Sequence, residues 1–87
     1  MTFAAPIADI AFTLKHTAGL NAAMAAGRAG DLTEDVLDAV LAEAGKFAEE
    51  VIAPLNAPGD RIGSRFENGS VTTPPGWKEA YRAWAAS

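Results

Sequence analysis

Apolar side chains recur at three- and four-residue steps through the middle of the chain, as on one face of a helix. Thr33 or Asp31 can cap the start, and Glu34 and Asp35 lie where the helix dipole favours anions. Because Pro54 lacks a backbone donor, the pattern predicts a helix from about residue 33 to about 53 that kinks or ends at Pro54. The stripe consists of Val36, Leu37, Val40, Leu41, Ala44, Phe47, Ala48, Val51, Ile52 and Leu55.

A shorter helix is predicted near the start of the chain. Pro6 and Asp9 mark its beginning, and Gly19 is placed to end it as a C-cap residue. Phe12 and His16 are spaced i, i+4 and therefore share a face. A second apolar face is formed by Ile7, Ile10 and Leu14, so this helix needs packing partners on two sides.

An alanine-rich stretch follows over residues 20–29. Alanine favours helix, so we expect a helix that continues through Ala26. Gly27 and Gly30 then interrupt it.

Turn residues dominate the segment after the long helix. Residues 57–61 (APGDR) are predicted to form a loop. Residues 65–72 predict a β-hairpin, because Asn68-Gly69 is the strongest two-residue turn signal. Since an isolated hairpin is marginally stable in water, we expect it to lie against another element.

Thr73-Pro74-Pro75 is predicted to open the last helix, because proline is tolerated in a first turn. This helix carries an aromatic face formed by Trp77, Ala80, Tyr81 and Trp84. Large aromatic side chains need a surface to cover them. Two explanations stay open: they fold back on the long helix, or the chain is truncated. The fold class predicted for the whole is mainly α, a small helical segment or up-down helix bundle with one short β-hairpin near residues 65–72.

Composition narrows the classes of function. The 87 residues include 20 alanines within an apolar share of 49%, so the potential core is thin. The absence of cysteine excludes disulfides and thiol chemistry, and a net charge of −4 argues against nucleic-acid binding. Residues 31–50 hold seven acids and one lysine, a local charge of −6, on a helix rather than in a disordered tail. Without a membrane-spanning run or a leader pattern, we expect a cytoplasmic protein.

Candidate chemistry is sparse. The single histidine, His16, lacks metal-ligand partners at suitable spacing, and we interpret it as an ordinary helix residue. Glu49 and Glu50 are adjacent and point about 100° apart on a helix, so they form no acid–base dyad. Residues 59–63 (GDRIG) match no phosphate-binding motif, and we interpret Asn68-Gly69-Ser70 as a turn rather than a glycosylation site. We therefore predict no catalytic, cofactor-binding or metal residues.

Four separated stretches of the chain carry a family resemblance. They are Pro6–Leu20 (PIADIAFTLKHTAGL), Glu43–Asn56 (EAGKFAEEVIAPLN), Gly59–Arg61 (GDR) and Phe66–Tyr81 (FENGSVTTPPGWKEAY). In this order they resemble the N-terminal end of acyl-CoA dehydrogenases, in the subgroup with an extra N-terminal helical segment. The resemblance covers nearly all of this chain, residues 21–30 least, but only the opening part of such an enzyme. It implies a division into an N-terminal extension (1–30) and the start of a helical N-terminal domain (31–87).

The resemblance implies a flavoenzyme of fatty acid metabolism. In such enzymes a hydride passes from the β-carbon of an acyl-CoA to FAD while a glutamate removes the α-proton. Electrons then pass to an electron-transfer flavoprotein. Further implied partners are the rest of the enzyme chain and other copies in a homo-oligomer. The flavin contacts and the catalytic glutamate come from later domains. No glutamate of this chain matches that context, neither Glu34, Glu43, Glu49, Glu50, Glu67 nor Glu79.

Two hypotheses follow from these observations. The first is that this chain is the N-terminal scaffold of an acyl-CoA dehydrogenase and is inactive alone, with no FAD of its own. The second is a free-standing helical interaction module that buries Trp77, Tyr81 and Trp84 against a partner or a second copy.

Overall fold

A computed structural model describes residues 2–87. The chain divides into two compact units, one ending at Lys46 and the other running from Phe47 to Ser87. The boundary predicted between residues 30 and 31 concerns the parent enzyme and stays a prediction.

The first unit begins with helix α1, Ile7–Phe12, which continues as a π-helical segment, Thr13–Thr17. In that segment the N–H of Ala18 donates to the carbonyl of Thr13 at 2.8 Å, a five-residue step. Gly19, in the left-handed conformation at φ 80°, then ends this helical stretch as predicted.

Helix α2 spans Leu20–Ala25, close to the predicted end at Ala26. The predicted breaks are confirmed, because Gly27 has a φ of 77° and Gly30 one of 62°. Glycine adopts this left-handed conformation without the penalty that a Cβ imposes.

Helix α3 spans Glu34–Phe47. The N–H of Val36 donates to Oγ1 of Thr33 at 3.3 Å, so Thr33 caps the helix in the predicted manner. Leu37 is buried on this helix, with 7% of its surface exposed. Gly45 is buried as well, and a Cβ there would come 2.7 Å from Cδ1 of Ile7, so glycine permits Ile7 to pack closely.

Of the two outcomes predicted at Pro54, an end of the helix is wrong, and a kink stays a prediction. The second unit has a π-helical segment, Ala48–Ile52, followed by helix α4, Ala53–Ile62. Pro54 directly follows the π-helical segment, and its fixed φ is compatible with the helical conformation on both sides. The helical conformation instead ends at Gly63, whose φ is 72°.

The predicted loop at residues 57–61 is also wrong, because these residues are helical within α4. Pro58 is accommodated inside the helix, and Gly59 is buried there. A Cβ on Gly59 would come 2.8 Å from Cζ2 of Trp77, so Gly59 provides room for the indole instead of making a turn.

The predicted hairpin is confirmed. Strands β1, Arg65–Glu67, and β2, Ser70–Thr72, pair antiparallel, with Phe66 opposite Val71. The connecting residues Asn68 and Gly69 both have positive φ, 52° and 78°, as a type I′ turn requires. All six strand residues are exposed, so the expectation that the hairpin is covered by another element is wrong for this chain.

Helix α5 spans Trp77–Ala86. The prediction that the prolines open this helix is wrong, because Gly76, in the left-handed conformation at φ 91°, separates them from its first residue. Ala80 is buried with 6% of its surface exposed. The structure thus confirms the predicted class: a mainly α segment with one two-stranded hairpin.

Candidate functional site

The titratable groups of the described chain do not converge on a reaction centre. Over residues 2–87, no group of three or more histidine, aspartate and glutamate side chains is placed to hold a metal ion. His16 packs against Phe12, with ring centroids 5.0 Å apart and planes tilted by 55°. This is the i, i+4 pair read from the sequence, and it gives His16 a structural contact.

All six glutamates are exposed, including Glu49 and Glu50. A glutamate that removes a proton from carbon at neutral pH is normally tuned by burial, since burial raises the pKa of a carboxyl group. The six glutamates lack that environment.

The first unit contains one lysine-centred ion cluster. Nζ of Lys15 lies 2.8 Å from Oδ1 of Asp38 and 3.8 Å from Oε1 of Glu34. The side chain of Lys15 is only 16% exposed, whereas those of its two partners are more than half exposed. The hydrogen bond with Asp38 raises the pKa of Lys15 above its ordinary value of 10.5.

Sequence reasoning missed this cluster. The sequence shows the acidic block of residues 31–50 but not which cation faces it. One signal in the sequence points to the partner: Lys15 is the only lysine or arginine in the first 27 residues, and the acidic block of residues 31–50 needs a cation. The cluster joins the π-helical segment of the first unit to α3.

The second unit is organised around aromatic contacts of α5. The ring of Trp84 lies 5.3 Å from that of Phe47, tilted by 56°. The indole of Trp77 covers Gly59 on α4. A third contact places Leu55 against Gly76, where a Cβ would lie 2.8 Å from Cδ2 of the leucine. The aromatic helix therefore folds back on helical residues of its own unit.

The predicted aromatic face is covered only in part. Trp77 remains 43% exposed and Trp84 51% exposed, and Tyr81 is 73% exposed. The hairpin adds two more exposed apolar side chains, Phe66 and Val71. We call these five side chains the aromatic surface of the second unit, in which Ile52 and Ile62 are also exposed. Exposed apolar side chains are typical of surfaces that bind another protein segment where they form a contiguous patch.

A depression of about 580 Å³ lies beside the start of α5, and the resemblance to flavoenzymes raises the question whether its lining suits FAD. Its walls include Pro74 and Pro75, which have no backbone N–H to offer a pyrophosphate. Lys78 is accompanied by Glu79, whose carboxylate opposes the binding of an anion. These residues do not fit FAD, and no reaction step is assigned to them.

Within residues 2–87, no helix has the length and apolar character needed to cross a membrane.

Comparison with known proteins locates the chain among characterised sequences. It is 41% identical over 81 residues to the 3-methylmercaptopropionyl-CoA dehydrogenase of Ruegeria pomeroyi. This alignment covers 93% of the chain but only 14% of that dehydrogenase. No family model matches the chain. The alignment confirms the resemblance to acyl-CoA dehydrogenases that the four sequence stretches predicted.

Proposed function

From the homology of this chain to a segment of an acyl-CoA dehydrogenase, we propose that it forms the N-terminal scaffold of such an enzyme. The parent enzyme is FAD-dependent and dehydrogenates an acyl-CoA thioester between its α and β carbons. The observation that carries the proposal is the 41% identity, which extends over 93% of the chain.

The proposed role of this chain is structural. Its six exposed glutamates and the poor fit of the depression to FAD support a segment that leaves the chemistry to other parts of the enzyme. The aromatic surface of the second unit supports the same role, because it offers apolar area for contact with the remaining enzyme. We further propose a cytoplasmic homo-oligomer that passes electrons to an electron-transfer flavoprotein.

The first experiment tests whether the chain is inactive alone. The purified 87-residue chain is examined for flavin absorbance and for acyl-CoA oxidation with a dye acceptor. We expect neither, before or after incubation with FAD. Bound flavin, or turnover above that of a heat-denatured sample, would contradict the scaffold role.

The second experiment tests the link to a longer enzyme. The genomic reading frame around the codon for Ser87 is sequenced. A frame that continues into the remaining domains supports the enzyme. A stop codon directly after Ser87 would overturn the proposal that this segment is part of a longer chain.

One alternative to the enzyme scaffold is a free-standing helical interaction module. It is favoured by the partly exposed rings of Trp77, Tyr81 and Trp84. Tryptophan emission is measured against protein concentration. Self-association through these rings would shift the emission to shorter wavelength as concentration rises, because the indoles leave water. An emission maximum independent of concentration would argue against a module that binds its own copies.

A further inference from the structure

The Asn-Gly pair at the hairpin turn has a chemical consequence independent of the proposed enzyme. We propose that Asn68 is a site of spontaneous covalent modification in the folded chain. Its side-chain amide is lost as ammonia, and aspartate or isoaspartate takes its place.

The turn leaves the reacting groups accessible. The register pairs Glu67 with Ser70, so Asn68 and Gly69 lie outside the ladder of the hairpin. Both connecting residues are exposed. Gly69 has no Cβ, and a Cβ built there would meet no atom within 4 Å, so the approach to its backbone nitrogen is open.

The hairpin gives this turn little restraint. All six strand residues are exposed, and a two-stranded hairpin is marginally stable by itself. The only described side-chain interaction within it is the exposed pair formed by Arg65 and Glu67, at 2.7 Å. Exposed ion pairs contribute little to stability. Thermal opening of the turn therefore allows the rearrangement that the reaction needs.

The reaction requires water as its only co-reactant. The backbone nitrogen of Gly69 attacks Cγ of Asn68, forming an N–Cγ bond and a five-membered imide. The Cγ–Nδ2 bond breaks, the proton of the attacking nitrogen passes through water to Nδ2, and ammonia leaves. Water then cleaves one of the two imide bonds. Cleavage of N–Cγ gives aspartate, and cleavage at the original main-chain carbonyl gives isoaspartate.

The other two asparagines of the chain provide internal controls. Asn21 lies in α2 and Asn56 in α4, and an alanine follows each of them. The helix fixes the backbone at both positions, and the alanine Cβ hinders approach to the nitrogen. They should therefore resist the reaction.

The products change the hairpin in two ways. Either product adds a negative charge beside Glu67. The new carboxylate repels that of Glu67 and competes with it for Arg65. Isoaspartate also inserts a methylene group into the main chain of a two-residue turn. The pairing of Phe66 with Val71 depends on that turn and should be lost.

The test follows each asparagine separately in the folded chain. Trypsin places Asn21, Asn56 and Asn68 on different peptides, because cleavable lysines or arginines lie between them. The chain is incubated in mildly alkaline and mildly acidic buffer, digested and analysed by mass spectrometry. We expect Asn68 to exchange NH for O at least about tenfold faster than either helical asparagine, a margin that a barrier difference of about 1.4 kcal/mol produces. Its rate should rise with pH.

Two controls assign the reaction to the turn. In Asn68→Gln the acidic species that appear on ion exchange should vanish, whereas Asn21→Gln and Asn56→Gln should leave them unchanged. A synthetic peptide of residues 66–78 reports the rate of the unrestrained sequence. Equal conversion at all three asparagines, or a folded-chain rate at Asn68 more than about tenfold below that of the peptide, would overturn the proposal.

Discussion

The indole of Trp77 occupies the space that a side chain at Gly59 would need. A Cβ on Gly59 would lie 2.8 Å from Cζ2, 2.9 Å from Nε1 and 3.1 Å from Cε2 of the ring. These three atoms belong to one rigid plane, so the whole ring has to move if a methyl group is added. The relationship explains why a glycine is found inside a helix, where it normally weakens the structure by about 1 kcal/mol relative to alanine.

Gly59→Ala should therefore destabilise the second unit despite its better helix propensity. Displacing a packed side chain costs about 1–3 kcal/mol, against a propensity gain of about 1 kcal/mol. In the background Trp77→Ala the same substitution should become stabilising, because the obstructing ring is gone. Urea denaturation of the parent chain, the two single variants and the double variant measures the coupling between the two positions in the free energy of unfolding. A Gly59→Ala effect of equal sign in both backgrounds would contradict the packing described here.

Trp84→Ala should destabilise the chain more than Tyr81→Ala. Trp84 is paired with Phe47 at 5.3 Å, and such pairs contribute about 0.5–1.5 kcal/mol beyond the area they bury. Tyr81 lies on the same helix but is 73% exposed, so its truncation removes little buried area. Thermal unfolding followed by circular dichroism gives the comparison. In a Phe47→Ala background, Trp84→Ala should cause a smaller loss of stability, because the ring pair is already absent.

Thr33→Ala should weaken the start of α3. The hydroxyl of Thr33 accepts the N–H of Val36 at 3.3 Å, which is a long hydrogen bond. We expect a loss near the lower end of the usual cap range, about 0.5–1 kcal/mol. Thr33→Ser keeps the acceptor and should restore most of the stability. Equal losses for alanine and serine in urea denaturation would indicate that the hydroxyl does not cap the helix.

Lys15→Met should lower stability at neutral pH, and the difference from the parent chain should shrink in strong alkali. The folded-state pKa of Lys15 is raised above 10.5 by Asp38, so the charged form is favoured by folding. Its contribution is fully present below 10.5 and is lost as the pH rises through the folded-state value. Thermal unfolding at increasing pH measures this. Lys46→Met, which removes a lysine of α3 outside the cluster, serves as the matched control.

Much of the local structure was predictable, because single residues determine it. Thr33 caps α3 through its hydroxyl group. Gly19 ends the first helical stretch and Asn68-Gly69 makes the hairpin turn, because these residue types readily adopt positive φ. The errors came where the same residue types serve packing. Gly59 signals a turn locally, but it is helical because an indole lies on it, and no local pattern reveals that contact.

The candidate site shows the same division. The resemblance to acyl-CoA dehydrogenases could be read from four ordered stretches of the sequence and was confirmed by alignment. The partners of individual side chains could not be read in this way. That Trp84 contacts Phe47 while Tyr81 remains exposed depends on the three-dimensional path of the second unit.

The brevity of the hairpin also limits unwanted association. A two-stranded sheet has two open edges whose main-chain groups can recruit a strand from another molecule. Here each strand has three residues, so each edge extends only about 10 Å, and two of the three residues of β1, Arg65 and Glu67, are charged. So short an edge, with charged side chains along it, gives a poor template for growth into larger β-assemblies.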